Sequence, residues 1–133
     1  MSRSIRKVAL LLRRMTGYHY QVLCGIRRYA VGFSHWRWQG ITPDNSALAA
    51  LAQWRPHGVI GMIGTPTLVA ALKKLRIPTV DVSRWLNPPP GAQVTADCLA
   101  VGELAANYFL HRGFKRFAFV GSAREYCAVE RRT

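Results

Sequence analysis

Apolar and polar positions alternate along this chain in blocks whose period switches between that of a strand and that of a helix. Val8 to Arg13 is apolar until its end, the pattern of a strand covered on both faces. From Tyr20 to Phe33 the apolar residues Val22, Leu23, Ile26, Ala30 and Phe33 fall at helical spacing and form one stripe. Trp36 to Ile41 reads as a second strand, and Asp44 or Ser46 is placed to cap a second helix in which Ala47, Leu48, Leu51 and Trp54 share a face before Pro56 closes it. Gly58 to Ile63 is a third strand. Thr65-Pro66 is a capping residue followed by proline at the first helical position, opening a third helix with Leu68, Leu72 and Leu75 that ends by Pro78. Thr79 to Val82 is a fourth strand.

Beyond it, Asn87 to Gly91 (NPPPG) is a loop, because three prolines can neither donate ladder bonds nor continue a helix. A short strand is expected at Val94. Asp97 then stands at an N-cap, Val101, Leu104, Ala105 and Tyr108 recur at helical spacing, and Gly113 supplies the left-handed residue that ends the fourth helix. Arg116 to Val120 reads as the next strand. Regular alternation of strand and helix implies a parallel sheet joined by right-handed crossovers, hence an α/β, Rossmann-like, doubly wound lobe. With no internal repeat, low-complexity tract or interior linker, residues 1–133 read as one domain.

The ordered segment VTADCLAVGELAANYFLHRGFKRFAFVG, from Val94 to Gly121, resembles the central part of the ligand-binding module of sugar-responsive repressors, a periplasmic-binding-protein-like domain. The opening RKVALLL (Arg6 to Leu12), followed by Tyr18, Gln21, Val22, Leu23, Gly25, Ile26 and Arg28-Tyr29-Ala30, is similar to the start of the xylose operon regulator group. The likeness continues through Trp36, Gly58-Val59-Ile60, Ile77 to Asp81, Arg112-Gly113-Phe114 and Glu130-Arg131. Members of that group join a sugar-sensing module to a C-terminal AraC-type DNA-binding domain. The resemblance implies that this chain is the N-terminal lobe of such a module, that its sheet has the order 2-1-3-4-5, and that the second lobe and the helix-turn-helix domain are absent from these residues. It also implies a cytoplasmic setting, a pentose-type sugar effector such as xylose or a relative, and the option of a homodimer.

Composition narrows the alternatives. Half of the residues are apolar, which supports a folded core. The apolar run Val8 to Leu12 is closed by Arg13-Arg14, too short for a signal peptide, and no run approaches a membrane span. Nineteen Lys and Arg against six Asp and Glu give a net charge of +13, a field that attracts polyanions. The cations are spread over separate elements, so DNA contact is expected only non-specifically by charge or through a further domain. Cys24, Cys98 and Cys127 form no paired motif and read as reduced thiols, and the four histidines are equally scattered. No metal, cofactor or catalytic residue is expected: phosphate loop, dinucleotide fingerprint and hydrolase elbow are all missing.

Ligands of open parallel sheets bind outside the C-terminal strand ends, which here means the loops at Arg14 to Tyr18, Gly64-Thr65, Ser83-Arg84 and Gly121 to Arg124. Carboxylate and guanidinium groups suit vicinal hydroxyls, and an aromatic face suits the apolar side of a sugar ring. By resemblance, Asp97, Arg131 and Tyr18 match ligand-facing positions of the family. Arg84 is added from its place alone. Each has a plainer role beside it: helix cap for Asp97, frayed terminus for Arg131, core packing for Tyr18 and a solvated loop for Arg84. Tyr20 stands where family members commonly carry an arginine, and a phenol cannot form a guanidinium's bidentate fork, which leaves the effector's identity open. Two other readings are a free-standing basic nucleic-acid-binding protein, marked by sequence preference on DNA, and a small flavodoxin-like enzyme, marked by an acidic or phosphate-binding first loop. Arg13-Arg14 occupies that loop.

Overall fold

The computed structural model describes residues 4–12, 17–32 and 35–120. It divides into two compact units, Met1–Gln93 and Val94–Thr133. The first unit contains β1 (Arg6–Leu11), α1 (Gly17–Ala30), β2 (Trp36–Gly40), α2 (Ala47–Trp54), β3 (Gly58–Gly61), α3 (Pro66–Lys74), β4 (Thr79–Asp81) and β5 (Ala92–Gln93). The strands form one sheet in the order β2-β1-β3-β4-β5, and every pairing is parallel. The expected order is therefore the observed one.

Its fifth member is different from the segment that the sequence pattern suggests. β5 is Ala92–Gln93, just ahead of the strand expected at Val94, whereas Arg116 to Val120 has no regular structure and is exposed. A helix closes its hydrogen bonds within its own segment, but a strand exists only against a neighbour, so an apolar strand-like run does not by itself make one.

The period of two along each strand separates the faces of the sheet. Register sets Ala9 beside Val59 and Leu11 beside Gly61. Ala9, Leu11, Val59 and Ile63 pack with Ala47 and Leu51 of α2 and with Leu68 and Leu72 of α3, forming the core cluster. The alternate residues, including Val8, Ile60, Val80 and Ala92, lie on the other face and line an open groove of about 640 Å³ together with Trp36.

The helix ends follow local chemistry. Thr65 accepts a hydrogen bond from the Leu68 amide at 3.3 Å, with Pro66 at the first helical position. Before α2, the Asp44 carboxylate takes bonds from the Ser46 hydroxyl and amide at 2.6 and 2.8 Å, which hold its pKa below the usual range. Ser46 itself makes no side-chain cap bond, so Asp44 organises the turn into the helix. At the end of α3 the left-handed residue is Arg76, and the amides of Arg76 and Ile77 donate to the carbonyls of Lys73 and Leu72 at 3.0 and 3.1 Å.

In the second unit α4 runs from Cys98 to His111. Gly113, at φ 82°, ends it as expected. The Gly113 amide donates to Leu110 and the Phe114 amide to Phe109, while the Phe109 and Phe114 rings meet edge-on at 5.8 Å, the apolar contact that accompanies this stop. Val101, Leu104, Ala105 and Tyr108 all fall on α4, as their spacing implies. Cys24 is a free thiol, as expected.

Candidate ligand-binding face

The C-terminal ends of β3 and β4 carry the polar chemistry of the first unit. Asp81, the last residue of β4, is fully buried and collects four hydrogen bonds. The amides of Ile63 and Ser83 donate to Oδ1 at 3.2 and 3.1 Å, and the Ser83 hydroxyl donates to the same oxygen at 2.7 Å. The Gln93 side-chain amide donates to Oδ2 at 2.9 Å. These donors satisfy a charge that would otherwise be costly to bury.

Tyr18, in the first turn of α1, donates from its hydroxyl to the Val82 carbonyl at 2.8 Å. Burial first and the Asp81 charge second raise its pKa, so the phenol keeps its proton through the neutral range. Tyr18 therefore favours the folded state below its ordinary pKa near 10, and that contribution fades as pH rises through the higher folded value. Two residues beyond Val82, Arg84 is half-buried with φ at 95°, a conformation that non-glycine residues seldom adopt. Next to it, the Trp85 ring lies so tightly over Gly64 that a Cβ there would overlap Cε3 and Cζ3. Trp85 remains 37% exposed.

Of the residues singled out in the sequence, Tyr18 and Arg84 are thus gathered at the end of β4. Asp97 belongs to the second unit, where its carboxylate accepts from the Ala100 amide at 3.0 Å and caps α4. Arg131 and the loop Gly121 to Arg124 lie outside the described residues. Sequence reasoning passed over Trp85 and Asp81. The one available signal for Trp85 was its place directly after Ser83-Arg84, and for Asp81 a lone acid within the strand-like run Thr79 to Val82. Among the described residues, no group of three or more His, Cys, Asp and Glu could hold a metal ion, and no helix is long and apolar enough to cross a membrane.

The cap of α4 gives a direct test. Asp97→Ala is expected to remove about 1 kcal/mol of helix stability, seen as faster hydrogen exchange at the Ala100 amide, while Asp97→Asn keeps most of the protection. Equal exchange in wild type and Asp97→Ala would remove the capping role.

Comparison with family models yields no match, and none of the curated proteins matches. Solved structures do. The transcription regulator CcpA of Lactococcus lactis superposes with a TM-score of 0.77 at 18% identity, over 98% of this chain and 51% of that one. An ABC transporter solute-binding protein from Mycobacterium smegmatis, with bound glycerol, gives 0.74 at 17% identity over 97% of this chain and 50% of that one. A periplasmic solute-binding protein from Actinobacillus succinogenes, with bound D-allose, gives 0.71 at 12% identity over 95% and 53%. The fold is that of one periplasmic-binding-protein-like lobe. This chain spans about half the length of each of these three structures. The lobe's C-terminal strand ends are those that carry Asp81, the Tyr18 bond to Val82 and the Trp85 ring on Gly64.

Proposed function

We propose that this chain forms one wall of a sugar-binding cleft in a two-lobed sensor of the xylose-operon-regulator type. The observation that carries the reading is the grouping, at the C-terminal ends of parallel strands, of a partly exposed indole packed on Gly64 and a phenol fixed to the Val82 carbonyl, with Arg84 between Val82 and Trp85 in the chain. An indole face covers the apolar side of a sugar ring, and the polar groups meet its hydroxyls. The glycerol and D-allose held by the solute-binding neighbours add support. No catalytic step is assigned, and the named neighbours are a regulator and binding proteins.

In this reading Tyr18, Arg84 and Trp85 face a pentose, with Asp97 and Arg131 as further contacts carried over from the family likeness. A second lobe closes over the sugar, and the closed form is what a DNA-binding domain outside these residues reads in the cytoplasm, in a homodimer. The mechanism is linkage: sugar shifts the lobes only by its preference for the closed state.

The test is nuclear magnetic resonance of the tryptophan indole N–H groups during titration with D-xylose, D-ribose and D-allose. One lobe encloses too little of a ligand for tight binding, so half-saturation is expected above about 1 mM. The Trp85 signal should move, and Trp85→Phe should abolish the response. If no sugar moves that signal, or the shifts fall on Trp36 and Trp38 instead, the cleft is misplaced.

A further inference from the structure

Backbone pairing between β3 and β4 ends at Gly61 and Asp81, with one further bond from the Val82 amide to the Gly61 carbonyl at 2.9 Å. Past that point the two chains separate, and the Ile63 and Ser83 amides turn to the Asp81 carboxylate. Three donors share Oδ1 and one takes Oδ2, so both oxygens of the carboxylate are engaged. Those donors come from three places: the segment leaving β3, the segment leaving β4, and the end of β5. β5 is only two residues long, so its ladder to β4 is short and the Gln93 bond forms a large share of its attachment.

What the carboxylate holds matters for the ligand face. Ile63 directly precedes Gly64, on which Trp85 rests, and Ser83 directly precedes Arg84. The Tyr18 hydroxyl is bonded to Val82, between Asp81 and Ser83. We propose that Asp81 is the positioning residue of this wall: without touching the ligand, its carboxylate fixes the β3, β4 and β5 ends relative to one another, and so fixes the Trp85 ring over Gly64. This inference rests on the cleft reading for its functional meaning, though not for its geometry.

Two mild variants test it, since complete removal of the carboxylate would strand three buried donors and the part-buried Gln93 amide. Gln93→Ala deletes the donor from β5 and Ser83→Ala deletes one from the β4 exit. In Asp81→Asn the new amide can retain all four contacts if the Gln93 amide turns over. Each is made in the full chain and read by the Gly64 amide and the Trp85 indole signals, with the amides of β2 reporting that the fold persists. Gln93→Ala and Ser83→Ala should displace both reporters, and Asp81→Asn should return them close to wild-type positions. The double variant Asp81→Asn/Gln93→Ala should displace them again.

The xylose response of the single-donor variants should weaken by about fivefold, the equivalent of one lost hydrogen bond. Wild-type reporter positions in Gln93→Ala, Ser83→Ala and the double variant would overturn the proposal. Displaced reporters with an unchanged sugar response would overturn its link to binding. If the wild-type chain shows no sugar response, the cleft reading fails, while the reporters still decide whether Asp81 positions the wall.

Discussion

Gly61→Ala is expected to lower the melting temperature of this chain by about 10 °C or more, following a loss of roughly 3 kcal/mol from forced packing between strands. Gly61 ends β3, which runs between β1 and β4, and its register partners are Leu11 and Asp81. A Cβ at this position would overlap both the Leu11 Cβ and the Leu11 carbonyl oxygen. A side chain can swing aside into another rotamer, but backbone cannot, so β1 and β3 would have to move apart across the fully buried Leu11. Such a loss is a large part of the 5–15 kcal/mol available to an ordinary domain. Gly40→Ala is the control, because nothing lies within 4 Å of a Cβ at that site on the edge strand β2. Thermal unfolding followed by circular dichroism separates the two. Melting of Gly61→Ala within about 2 °C of wild type, less than 1 kcal/mol on that scale, would mean that the β1–β3 spacing has slack which the geometry does not show.

DNA affinity should be the property most sensitive to conditions. At low salt the +13 chain is expected to bind any duplex, because each neutralised phosphate releases condensed counterions. Engagement of about six phosphates would cost roughly a thousandfold in affinity between 50 and 200 mM salt. The binding should carry no sequence information. Arg27 and Arg28 are adjacent on α1 and so diverge by about a quarter turn, while Lys73 and Lys74 do the same on α3. No described helix presents the row of side chains that reads a major groove. Gel shift with a xylose-type operator and with a scrambled duplex, each at low and at physiological salt, measures both effects. An operator preference above about tenfold, or ~1.4 kcal/mol, would reveal a reading surface and favour the free-standing nucleic-acid-binding alternative over the sensor lobe.

Local sequence determined much of this lobe. The Thr65-Pro66 start of α3, the Asp97 cap and the Gly113 stop of α4 each depend on atoms within a few residues of one another, and each is found as the residue pattern implies. The same holds for β1, β3 and β4, which overlap the strand-like runs Val8 to Arg13, Gly58 to Ile63 and Thr79 to Val82. Tertiary structure decided what depends on distant partners. Arg116 to Val120 has the composition of a strand, but strand formation requires a neighbour's backbone, and the sheet instead takes Ala92–Gln93. Asp81 reads in sequence as a polar end to β4; its role as a hub exists only because Ile63, 18 residues away, and Gln93, 12 residues away, converge on it. Tyr18 could be picked out from the sequence, but its bond to Val82, 64 residues along the chain, could not. Helix caps and periodicity are short-range properties that a sequence states directly, whereas the ligand-facing wall is assembled across strand ends, where only the packing of the sheet brings the groups within bonding distance.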